Sequence, residues 1–134
     1  MLEAVEEQVG STLAEAAGST RDPVEAIREG TRAWLDMAAT DPTVVQVTLI
    51  DAPSVVGWER WREIDEKHGL GLLLGGLTAT RRIPDEILDA TAHLIHAATL
   101  EAALIIARSG AESTQAESAR EAMDELLNRL LRQA

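Results

Sequence analysis

The segment "DEILDATAHLIHAATLEAALIIA", residues 85–107, decides the fold. Its apolar residues do not keep to one stripe; they run nearly all the way round a helix, so that helix must be covered on both sides. Ala recurs at 90, 92, 97, 98, 102, 103 and 107, and small residues let helix axes approach closely. Pro84 opens the helix in its first turn, and Gly110, after Ser109, stops it. The next helix, over about 112–133, carries one stripe of Ala119, Met123, Leu126, Leu127, Leu130 and Leu131, with Glu and Arg opposite. The two helices make a hairpin, and two copies related by a two-fold axis make a four-helix bundle. This reading assigns a homodimer interface to Ala98, Ala102 and Ile105 on the first helix and to Met123, Leu126, Leu127 and Leu130 on the second.

Upstream of this hairpin the chain reads as helix as well. A first helix covers about 2–17 and ends in "GSTRDP". A second starts at Asp22-Pro23, cap plus first helical position, and reaches about Ala39. A short third spans about 42–51, opened by Asp41-Pro42 and stopped by Pro53 and Gly57. The fourth runs over about 58–80. "TVVQVTLI", residues 43–50, is the one stretch whose β-branched residues compete for a strand. The expected fold is therefore all-α, six helices in a single domain over 1–134, with the last two forming the dimeric bundle.

Composition narrows the function. The 134-residue chain has no Cys, which excludes disulfides, thiolate catalysis and Cys-ligated metals. Its formal net charge of -11 repels a phosphate backbone, so this chain by itself is not expected to bind nucleic acid. "MLEAVEEQVG" is acidic and lacks the basic start of a signal peptide. The weakly charged run at 90–107 holds His93, His96 and Glu101 and reads poorly as a membrane span. The Ser residues lie in turns or near helix ends with no His in a recognisable motif, so neither catalysis nor a cofactor is expected.

Aromatic usage points to one region. There is no Phe and no Tyr, and of three Trp two stand in "DAPSVVGWERWREID", residues 51–65. Trp58 and Trp61 share a helix face, which Asp65, His68 and Leu72 continue at three- and four-residue intervals. The indoles either fill the core or wall an internal cavity, since ligand pockets favour aromatic walls. Trp34 on the second helix is the candidate facing wall, and His93, His96, Leu100 and Leu104 form a matching face on the fifth. Asp89, His93 and His96 share helical spacing with a metal triad, but no HExxH or Cys partner supports a metal, and contact with a ligand or a dimer partner is the preferred role for the two His. Glu101 either pairs with an Arg across a dimer or points into the cavity. "GLGLLLGG", residues 69–76, lacks the strand-turn-helix context of a phosphate loop and reads as close helix packing or local helix irregularity.

Taken in order, "DPVEAIREGTRAWLDMAATDP", "TLIDAPSVVGWERWREID", a Leu/Gly-rich helix and "LEAALIIARSG" resemble the C-terminal regulatory domain of TetR-type transcriptional repressors, in the actinobacterial branch with a DAP…GW…WR…ID segment. The resemblance implies a cytoplasmic homodimer that holds a hydrophobic small-molecule inducer among the second, fourth and fifth helices. The expected ligand residues are Trp34, Trp58, Trp61, Asp65, His68, Leu72, His93, His96 and Leu100. Members of that family carry a helix-turn-helix DNA-binding domain ahead of this one; the chain lacks it, and "LEAVEEQVG" resembles the helix that follows it. DNA is thus a partner only through that missing domain. The inducer is expected to be hydrophobic, aromatic or fused-ring, with its acidic or basic character left open. The competing expectation is a purely structural dimerisation module without a ligand.

Overall fold

The computed structural model describes residues 2–46 and 57–132; of Leu2, Glu3, Pro42, Trp58, Trp61, Asp65, Glu66 and His68 it describes the backbone alone. All regular structure among the described residues is helical. In chain order the elements are α1 (Leu2–Ala17), α2 (Pro23–Thr40), α3 (Pro42–Val45), α4 (Trp58–Asp65), a π-helical segment (Glu66–Leu70), α5 (Gly71–Thr80), α6 (Asp85–Ser109) and α7 (Thr114–Leu131).

Local chemistry sets the boundaries. The Asp22 side chain accepts a hydrogen bond from the Val24 N–H at 3.1 Å, and Pro23 takes the first position of α2, where its missing N–H costs nothing. Ser113 caps α7 in the same way, accepting from the Ala116 N–H at 3.0 Å. Gly110, at φ 94°, turns the chain between α6 and α7. Pro84 stands one position earlier than expected, as the N-cap of α6 rather than inside its first turn. The contested "TVVQVTLI" is helical as far as Val45; residues 47–56 lie outside the described part.

The expected fourth helix over 58–80 is one helical run whose middle, Glu66–Leu70, widens to π-helix. Both readings of its glycines hold. Gly69 sits in the widened stretch, and a Cβ on Gly76 would stand 3.2 Å from Ile27 Cγ1, so the bare backbone lets α5 press onto α2.

The core forms around α2 and α6. Ile27, Trp34, Leu35 and Ala38 of α2 meet Ala92, Ile95, Ala102, Ala103 and Ile106 of α6, with Leu77 of α5 and Val9 of α1 at the flanks. Ala103 and Ala116 are fully buried where α6 and α7 pack, the close approach that small residues permit. α6 is long and apolar enough to cross a bilayer by length and composition. A core helix satisfies the same criteria, and α6 packs against α2, α5 and α7.

The stripe on the last helix divides, which corrects the expected dimer face. Met123 and Leu127, with Leu131, are buried in the chain's own core, as is Ala102 on α6. Residues four apart along α7 turn inward together onto α2 and α6, while Leu126 and Leu130, a third of a turn away, point out. Of the expected interface, Leu126 (57% exposed) and Leu130 remain on the surface, and Ala98 and Ile105 are half-buried. Ile87 and Leu94 (72% exposed) on α6 are exposed as well.

Candidate functional site

Four helical stretches enclose a cavity of ≈ 380 Å³. α1 contributes Glu6, Val9, Leu13 and Ala17, at the three- and four-residue steps of one helix face. α2 contributes Ile27, Gly30, Thr31 and Trp34. Gly69 of the π-helical segment and Leu72, Leu73, Gly75 and Gly76 of α5 form the third side, and His96, Thr99 and Leu100 of α6 the fourth. A Cβ on Gly75, at the exposed side of α5, would meet no atom within 4 Å. Leu72, 40% exposed, lines the cavity, so the space reaches the surface beside α5.

The walls satisfy most of their own polar groups. The Trp34 indole N–H donates to the Thr99 carbonyl at 3.2 Å, which fixes the ring against α6. The Thr99 hydroxyl in turn donates to the His96 carbonyl at 2.7 Å. A mostly apolar chamber with a few placed polar groups, here Glu6, Thr31 and His96, has the composition of a small-molecule site.

Of the expected ligand residues, Trp34, Leu72, His96 and Leu100 come together on this cavity. His93 does not. Its Nε2 lies 3.6 Å from Asp89 Oδ2, one turn earlier on α6, and the residue does not line the chamber. The side chains of Trp58, Trp61, Asp65 and His68 lie outside the described residues. Leu104 is half-buried against the core and off the cavity wall. Glu101 is exposed, so it does not point into the chamber. No group of three or more metal-ligating side chains stands together among the described residues. The α1 wall was not anticipated, although Val9, Leu13 and Ala17 carry a four-residue repeat that marks it.

A second cavity of ≈ 290 Å³ lies on the other side of α2, against α7, lined by Arg28, Thr31, Arg32, Leu35, Arg120, Met123 and Asp124 among others. Here charges close on one another. Arg28 donates from Nε and Nη2 to Asp124 at 3.0–3.2 Å, and Arg32 reaches Asp124 at 3.2 Å and also pairs with Glu25 and Glu29. Arg120 of α7 binds Asp36 of α2 at 2.6 Å. The Arg28 hydrogen bonds hold the Asp124 carboxyl below its ordinary value, and the same bonds raise the Arg28 guanidinium.

Fold and site together define an all-helical domain with an apolar chamber, open to the surface beside α5, and a long helical hairpin along its flank. The chain belongs to the family described as tetracyclin repressor-like, C-terminal domain, whose profile matches residues 24–130. No curated protein matches the chain.

Proposed function

We propose that the chain is the ligand-sensing and dimerisation domain of a TetR-type transcriptional repressor. A hydrophobic small-molecule inducer occupies the chamber between α1, α2, α5 and α6 and thereby controls DNA binding by the parent protein, a cytoplasmic regulator. The observation that carries this reading is the chamber itself. Between the helices the walls leave ≈ 380 Å³, open to the surface beside Leu72 and lined by aliphatic side chains, glycines and an indole. That volume lies within the usual range for ligand pockets, about 300–1,000 Å³. α1, which precedes the matched segment, forms one wall, so a ligand pressing on that wall has a direct mechanical route toward the N-terminal side of the chain.

Dimerisation is proposed through the outer face of the α6–α7 hairpin. Ile87, Leu94, Leu126 and Leu130 are exposed there. The antiparallel hairpin sets the start of α6 beside the end of α7, so these side chains gather toward one end of it. A two-fold partner covers such a face in a four-helix bundle.

A thermal-shift screen against hydrophobic small molecules tests the sensing role. A compound that binds the folded chain alone raises its melting temperature by mass action. A purely structural module shows no concentration-dependent shift with any compound.

A further inference from the structure

We infer that the chamber selects an apolar cation, a compact flat amine or quaternary ammonium, over an anion of the same shape. The inference rests on the ligand-sensing reading above. It comes from a charge inventory of the walls. The chain has 12 Lys and Arg. Every one of these side chains is described in the structure, and none lines the chamber. The two arginines of α2, Arg28 and Arg32, face the opposite cavity, where Asp124 and Glu25 hold them. A carboxylate or phosphate ligand thus finds no Lys or Arg on the wall to replace its water, and burying an unpaired charge costs several kcal/mol.

Among the described residues the wall carries one acidic group. Glu6 is 6% exposed and lines the chamber. Glu6 and His96 each interact within the chain, so a ligand joins their surroundings rather than filling a vacancy. Trp34 has its N–H committed to Thr99, so what its ring offers a ligand is its π system, which attracts cations. The field of the whole chain, at net charge -11, points the same way. The volume of ≈ 380 Å³ sits near the small end for ligand pockets, which suits two fused rings better than a long chain.

Three probes of one shape decide it: naphthylmethylamine, naphthylmethanol and naphthoate, titrated calorimetrically into the chain near neutral pH. The amine is expected to bind at least about tenfold more tightly than the alcohol, and the naphthoate most weakly. Glu6→Gln, close to isosteric, should bring the amine to the level of the alcohol and leave the alcohol unchanged. If Glu6→Gln does not fold, by circular dichroism, the order of the three probes on the unaltered chain decides alone. Naphthoate binding as tightly as the amine overturns the inference, and so does an amine preference that survives Glu6→Gln. If the alcohol binds and the amine gains nothing, the charge inference falls while the ligand-sensing reading stands. If none of the probes binds and no neutral hydrophobic compound shifts the melting temperature, both fall.

Discussion

On one side of α2, Ile27, Gly30 and Trp34 look into a chamber of ≈ 380 Å³. On the other, Arg28, Arg32 and Leu35 look into a cleft of ≈ 290 Å³ against α7. Thr31 borders both. In the charged cleft the arginines bond to carboxylates of α2 and α7. The apolar chamber has aliphatic, glycine and indole walls with few polar groups among the described residues. Two cavities of similar size on one helix therefore have different roles. One fastens α7 to α2, and the other is the site proposed for a ligand.

That contrast can be broken most severely from within the α7 side. Leu127 is 1% exposed and lies under the ion pairs. Leu127→Ala should cost about 2–5 kcal/mol in urea denaturation, and Leu127→Glu should prevent folding. A cost under about 1 kcal/mol for the alanine variant would place Leu127 outside the core. The outer face should behave differently. Leu126→Glu combined with Leu130→Glu should leave the helical content intact and convert a dimer to a monomer in sedimentation. A dimer that survives both charges would move the interface elsewhere.

The ion pairs should matter less than the leucine beneath them. Asp124 is substantially exposed, at 40% for its side chain, so solvent screens its pairs. Asp124→Asn should cost about 1 kcal/mol or less at neutral pH. The folded pKa of Asp124 lies below its unfolded value. Its contribution is therefore fully present above the unfolded pKa of about 4 and is lost as pH falls through the lower, folded value. Stability measured against pH should fall less steeply below about 4 in Asp124→Asn than in the unaltered chain. An identical acid limb in the two proteins would contradict the pairing.

The smallest expected effect is on the chamber side. Gly75 has room for a methyl group, and Ala is the better helix former, so Gly75→Ala should stabilise by about 0.5 kcal/mol. Gly76→Ala should gain less or lose, because its Cβ meets Ile27 at 3.2 Å. Equal gains at the two positions, read from thermal melts, would mean that α5 is not pressed onto α2.

Much of this was legible in residues 22–40 and 84–110, where cap, proline and glycine signals coincide with the helix ends. Apolar periodicity also placed α6 in the core. Periodicity identifies a face, but it does not say what covers it. Leu126 and Leu127 belong to one stripe in the sequence and to opposite environments in the fold, because α7 lies on its own α2 and α6 and leaves one edge of the stripe uncovered. The same limit separates His96 from His93, three residues apart on α6: the first lines the chamber and the second does not. The α1 wall was missed because its stripe is built from Val, Leu and Ala among glutamates, with no aromatic to draw attention. The expectation centred on Trp58 and Trp61 concerns side chains outside the described residues, whereas Trp34, the third indole, stands on the chamber wall.

The central claim is that the chamber, and not the charged cleft, receives the ligand. The most direct measurement is the thermal shift produced by one hydrophobic hit on three proteins: the unaltered chain, Leu100→Trp, which fills the chamber, and Asp124→Asn, which alters the cleft. At a ligand concentration of about 100 Kd, binding stabilises the folded state by about 2.7 kcal/mol. The account predicts that this gain disappears in Leu100→Trp and persists in Asp124→Asn. A shift that persists in Leu100→Trp, one that vanishes in Asp124→Asn, or a screen that yields no hit would contradict it.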